Sequence, residues 1–168
     1  MATFPLHQRP TESYTVNPRK FGCPRANARK HAGCDLYAPA GTPVLAVEDG
    51  EVIAGPYLFY DVVDAVEIRH ASGIVRYGEI SKTGAPGIKP GAKVVAGQVI
   101  GFVGKMQTVP QSMIHFELYA GTGKGPLTDR ARPPFMRRAD LIDPTAFLNA
   151  CLPAPVPAPA LAPALNAA

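Results

Sequence analysis

No run of about twenty apolar residues occurs anywhere in this sequence, so nothing in it reads as a helix that spans a bilayer. The amino terminus, MATFPLHQRPTESYTVNPRK, lacks the charged start and apolar stretch of a secretory leader. Cysteine is scarce: there are three, an odd number, which excludes a complete disulfide framework. Cys23 and Cys34 could pair if the chain folds back between them, and two free, partly buried thiols fit the sequence equally well. The basic clusters Arg19, Lys20, Arg25, Arg29, Lys30 and Arg130, Arg132, Arg137, Arg138 have no interleaved aromatics and match no nucleic-acid-binding module. Lys and Arg total 17 against 13 Asp and Glu, an excess that suits a carboxylate-rich polymer or simply a solvated basic surface.

Helical periodicity is also missing from most of the chain. Between Thr42 and Tyr119 run short segments rich in Val, Ile, Phe and Tyr: 44–47, 51–54, 65–70, 74–80, 93–95, 99–103 and 113–119. Gly, Pro and Asp-Gly punctuation separates them, which predicts an all-β sheet or sandwich. Residues 1–28 read as an irregular arm, 29–152 as the folded domain, and 153–168 as an extended Pro/Ala-rich tail. The one helix signal is DPTAFLNACL, with Asp143 as N-cap and Pro144 at the first helical position. Strand alternation puts Tyr77 and Glu79 on one face of RYGEI, and Met113, His115, Glu117 and Tyr119 on one face of SMIHFELY, with Ile114, Phe116 and Leu118 toward the core.

His31, Asp35 and His115 form a candidate ligand set of the kind used by catalytic zinc, two close in sequence and one on a distant strand. The text around them, HAGCDLYAPAGTPVLAVEDGEV, then GQVIGFVG, then IHFELY, resembles the lysostaphin or LytM-type zinc endopeptidases over roughly residues 29–120. That resemblance implies a small, largely antiparallel β-domain with Zn2+ held in a groove by His31, Asp35 and His115. It also implies a substrate among the peptide cross-links and bridges of bacterial peptidoglycan. Two positions depart from the family pattern. Its H-x-H motif stands here as Met113-Ile114-His115, and its Tyr-x-His-Leu stretch as Tyr77-Gly78-Glu79-Ile80, so both assisting histidines are replaced.

A carboxylate beside zinc serves as general base in H-E-x-x-H metalloproteases, so Glu79 is expected to take that role; a fourth ligand or a solvated strand residue are the other readings. Tyr77 is the candidate for the lost donor at Met113, which itself would line the substrate site. Arg130 and Arg132 are expected to border the groove and bind muropeptide carboxylates. Lacking a leader, such an enzyme would be made in the cytoplasm and reach the periplasm or cell wall as a phage lysin or an antibacterial effector, with a secretion-system or phage-tail component and an immunity protein as partners. A second reading is a catalytically inactive cell-wall-binding or regulatory domain that keeps the zinc site. A third, a biotinyl- or lipoyl-type carrier, lacks the lysine that VEDGEV would have to present.

Overall fold

Val-, Ile- and Tyr-rich segments become antiparallel strands here wherever tight turns separate them. The computed structural model describes residues 1–154, and the Pro/Ala-rich tail from 155 onward lies outside the described residues. The elements are β1 (Cys34–Tyr37), β2 (Pro43–Leu45), β3 (Gly50–Tyr60), β4 (Val63–His70), β5 (Gly73–Ile80), β6 (Lys93–Val94), β7 (Val99–Phe102), β8 (Met113–Tyr119), β9 (Leu141–Ile142) and α1 (Thr145–Ala150). Strands β1, β8, β5, β4, β3 and β6 lie side by side in that order, and β9 pairs with the end of β8, giving a seven-stranded sheet. A separate two-stranded ribbon pairs β2 with β7. No helix among the described residues is long and apolar enough to cross a membrane.

Two strands, β1 and β9, lie outside the strand set read from the sequence, and β3 continues six residues past Ala54 to Tyr60. The helix begins at Thr145, with Pro144 in the N-cap position. Asp143 still accepts a hydrogen bond from the Thr145 N–H at 2.8 Å, so its capping signal lies one residue further out than expected.

One face of the sheet is apolar. Ile68, Val75, Tyr77, Ile114 and Phe116 pack there against Val44 and Ile100 of the ribbon and Leu148 of α1. Phe4, Leu6 and Tyr14 of the irregular N-terminal arm complete this core. All three cysteines are buried free thiols.

The opposite face is polar and almost as deeply buried. Antiparallel register aligns Asp35, His115, Gly78, Ala65 and Tyr57 in one row across five strands. Glu117, Arg76 and Glu67 form the adjacent row.

In β5 strict alternation fails at one point. Ala65 pairs with Gly78 and Asp64 with Ile80, so Glu79 is the extra residue of a β-bulge, with φ +64°. Tyr77 and Ile80 therefore both enter the apolar core, and the expected sharing of a face by Tyr77 and Glu79 does not hold.

Tyr77 is completely buried, and its hydroxyl accepts from the Val47 N–H at 3.0 Å. The hydroxyl donates to His70 Nε2 at 2.9 Å, while His70 Nδ1–H donates to the Asp49 carbonyl. Tyr77→Phe leaves the Val47 N–H and His70 Nε2 without their partner, and is expected to destabilise the fold by about 1–3 kcal/mol. The midpoint of urea unfolding measures the loss.

Candidate metal centre

His31 sits just before β1, at the end of a turn whose backbone is tied by the His31 N–H to Cys23 carbonyl bond at 2.9 Å. Two residues on, a Cβ at Gly33 would lie 2.3 Å from the Phe116 carbonyl oxygen, so only glycine lets β1 enter this close to β8. The register then sets Asp35 opposite His115. The three side chains are each less than 10% exposed.

Their donor atoms converge. His31 Nε2 is 2.9 Å from Asp35 Oδ1 and 3.0 Å from His115 Nδ1, and His115 Nδ1 is 2.9 Å from the same Asp35 oxygen. The outer partners of each imidazole decide which nitrogen carries the proton. His31 Nδ1 lies 2.9 Å from the Lys20 carbonyl, which only accepts, so that nitrogen holds the hydrogen and Nε2 is bare in the neutral ring. His115 Nε2 lies 2.9 Å from the carboxylate of Glu117, so Nδ1 is the bare atom there. Two nitrogen lone pairs and a carboxylate oxygen thus face one point with no hydrogen to share among neutral rings. Such an arrangement calls for a cation. Against the burial that lowers it, hydrogen bonds to Asp35 and Glu117 push His115 up to about 9, so in the metal-free protein a proton meets this demand.

Burial would raise Asp35, but hydrogen bonds from His115 and His31 hold it well below the usual carboxylate range, keeping it ionised. Its second oxygen accepts from Arg25 Nη2 at 3.0 Å. Zinc bonds of about 2.0–2.1 Å set tetrahedral ligands roughly 3.3 Å apart, so the three donors need to spread by only a few tenths of an ångström to hold the ion. His31, Asp35 and His115 fit zinc in number, type and spacing, and they are a possible metal-binding group by the mutual approach of their ligand atoms within 4.8 Å.

Glu79 lies beside this group and is not a member of it. Its neighbour Gly78 pairs with His115, and the bulge turns Glu79 out of the core. The side chain is 9% exposed, and its Oε2 has no hydrogen-bond partner. Burial pushes the carboxyl up to about 7; His115 and Arg25 pull against this and Asp35 adds to it, so all three are close enough to be felt.

The other residues read from the sequence fall elsewhere. Tyr77 is in the core, and the structure does not bring it to the ligands. Met113 is 7% exposed and packs with Val63 and Met106 in an apolar cluster, so little of it is open to a substrate. Arg130 and Arg132 are exposed, and Arg132 pairs with Asp129; neither touches the site. The arginines that reach it are Arg25, on Asp35, and Arg76 and Arg137, on Glu117. Phe59 was also invisible to sequence reasoning. Its ring stacks on His115 with centroids 5.7 Å apart and covers Gly78, where a Cβ would meet it at 2.7 Å.

The sequence model of Peptidase family M23 matches residues 29–127, more than half of the chain. The chain belongs to peptidase family M23. Among curated relatives of this M23 domain, the cell division protein DipM of Caulobacter vibrioides is 32% identical over 111 residues, which are 65% of this chain and 17% of that protein. The peptidoglycan DD-endopeptidase ShyC of Vibrio cholerae is 33% identical over 118 residues, 69% of this chain and 26% of that one. The chain thus spans about a quarter or less of these relatives' length. The catalytic domain of lysostaphin from Staphylococcus simulans superposes with a TM-score of 0.59 over 77% of this chain and 89% of that domain, at 23% identity. A zinc-containing peptidase from Vibrio cholerae superposes with a TM-score of 0.54 over 72% of this chain and 38% of its own, at 25% identity.

The buried position of Glu79 has a thermodynamic signature in the metal-free protein. A carboxyl raised from 4.5 to about 7 binds its proton more tightly when folded than when unfolded. Its contribution is intact below about pH 4.5 and is lost as pH rises through 7, on the order of 3 kcal/mol in all. Glu79→Gln, uncharged and of equal size, is expected to raise the melting temperature of metal-free protein at pH 8, with the gain shrinking to nothing near pH 4.5. Thermal melts across that range check the sign.

Proposed function

We propose that the M23 domain is a zinc-dependent endopeptidase that hydrolyses peptide cross-links or stem peptides of bacterial peptidoglycan, with Glu79 as general base. The observation that carries this reading is a buried carboxylate with an unpartnered oxygen, beside three donor atoms that converge on one point. The activities named for its relatives support the substrate class: a peptidoglycan DD-endopeptidase, and the glycyl-glycine endopeptidase ALE-1 of Staphylococcus capitis, 30% identical over 108 residues. Action in the periplasm or cell wall is part of the same proposal.

Zinc held by His31, Asp35 and His115 supplies Lewis acidity toward a scissile carbonyl and toward water. The chain's own residues do the rest. His31 and His115, each with its second nitrogen tied to an acceptor, keep their bare nitrogens fixed on the ion. Arg25 and Asp35 together form a near-neutral pair, which leaves Glu79 as the carboxylate of this site that forms no salt bridge among the described residues. Ionised, Glu79 accepts the proton of the attacking water and passes it to the departing amine. Its hydrogen-bonding freedom is what that task requires, since a carboxylate already saturated with donors has no lone pair to offer.

The second reading is a metal-stabilised binding or regulatory domain without catalysis. The packing of Met113 among Val63 and Met106 favours it, because no polar group replaces the family's imidazole at that position.

Metal analysis of protein purified without added zinc, together with muropeptide release from purified peptidoglycan, separates the two. One zinc per chain and release that falls by about a hundred- to ten-thousand-fold in Glu79→Gln is the expected result. Equal zinc with no release by either protein selects the binding domain. For the active enzyme, kcat/KM falls as pH drops through the Glu79 ionisation. The nearby dication favours the charged form, so this acid limb lies below 7 and is missing from any residual activity of Glu79→Gln.

A further inference from the structure

Glu117 lies two residues beyond His115 on the same face of β8, and is completely buried. Its four acceptor positions are all taken. Oε1 accepts from His115 Nε2–H at 2.9 Å and from Arg137 Nε at 2.7 Å. Oε2 accepts from Arg76 Nη1 at 2.9 Å and from the Tyr119 hydroxyl. Burial alone would raise this carboxyl, but the bond from His115 and the charges of Arg76 and Arg137 hold it well below the ordinary range. With all four positions filled by donors it has no lone pair left to offer, and is unfit to be a ligand or a base.

What it can do is hold a ring. An imidazole offers a metal either nitrogen, and the choice follows the partner of the other one. For His115 that partner is Glu117, while Phe59 covers a face of the same ring. Arg76 is fixed in turn by Glu67 through two bonds of 3.1 and 2.9 Å, and Glu67 also accepts from Tyr57. The anchor of the ring thus extends through the sheet to β3.

We infer that Glu117 is a positioning residue that fixes His115 with Nε2 protonated and Nδ1 facing His31 and Asp35, and thereby sets the site's affinity for zinc. The inference rests on the reading that His31, Asp35 and His115 bind zinc, and not on peptidase activity.

The test uses the whole chain, labelled with nitrogen-15 and loaded with zinc alone. Two-bond proton–nitrogen correlation spectra of wild type are expected to show His115 protonated at Nε2 and metallated at Nδ1; metallation at Nε2 overturns the proposal. Chelator competition is expected to show zinc bound 10- to 100-fold more weakly by Glu117→Gln. Leu148→Ala, a core truncation far from the ligands in sequence and on the other face of the sheet, controls for lost stability and is expected to keep zinc affinity within about twofold. A folded Glu117→Gln with wild-type affinity overturns the inference, as does equal weakening in the control. If Glu117→Gln does not fold, the wild-type spectrum alone decides. Wild type that binds no zinc overturns both this inference and the metal reading, whereas tight zinc with no muropeptide release fails only the peptidase reading.

Discussion

Three lone pairs meet on the polar face of the sheet because the outer polar atom of each of the three residues is already engaged. The Lys20 carbonyl takes the outer hydrogen of His31, Glu117 takes that of His115, and Arg25 takes the second oxygen of Asp35. Remove these outer partners and each ring could turn over or change tautomer, and the convergence would be one arrangement among several. Two of the three come from the N-terminal arm, which has no regular structure of its own. The arm nonetheless buries Phe4, Leu6 and Tyr14 in the core, so its loop is held rigidly enough to present a carbonyl and a guanidinium to the site. Packing on one side of the sheet thus serves electrostatics on the other.

A sheet buried on both faces usually reads as a continuous apolar run. Here the second face is closed by ions. Arg76 and Arg137 balance Glu117 and Glu67, Tyr119 fills the last acceptor position of Glu117, and Tyr57 adds a third donor to Glu67 Oε1. Such a network offers little net stability over an apolar equivalent, since desolvation offsets most of its Coulombic gain. Its retention beside the ligand His115 makes sense as orientation: a carboxylate saturated by fixed partners cannot drift, and neither can the ring it holds.

Much of this was legible in the sequence where physics is periodic. Alternation in SMIHFELY separated Ile114, Phe116 and Leu118 from His115 and Glu117, and the structure keeps that division. The candidate ligand trio was read from residue type and from resemblance, and the fold brings its donor atoms within 4.8 Å of one another. What failed was whatever depends on a break in period or on distant register. Arg130 and Arg132 are near the site in sequence but project to solvent, while Arg25 arrives from an arm with no pattern to read. Phe59 reaches His115 only because β3 continues past its cis Gly55-Pro56 bond and because Gly78 and Ala65 leave room on the sheet. Glu117 was placed on the correct face, yet nothing local says that two arginines and a tyrosine saturate it.

The bulge at Glu79 is the sharpest case. Period two assigns Tyr77 and Glu79 a common face, and one extra residue sends the first into the core and turns the second out of it. Local preference opposes this arrangement twice, since a non-glycine residue at φ +64° costs of order 1 kcal/mol or more, and an unpartnered buried carboxyl adds a desolvation penalty. Neither cost is repaid by any hydrogen bond its carboxyl Oε2 makes. A feature that destabilises the fold at two levels, at the single position where β5 departs from its pattern, is not explained by the stability of the sheet and accords with the role proposed for this carboxylate. Gly104 supplies the complementary support: its N–H donates to the Glu79 carbonyl at 2.8 Å, holding the bulged backbone while the side chain stays free.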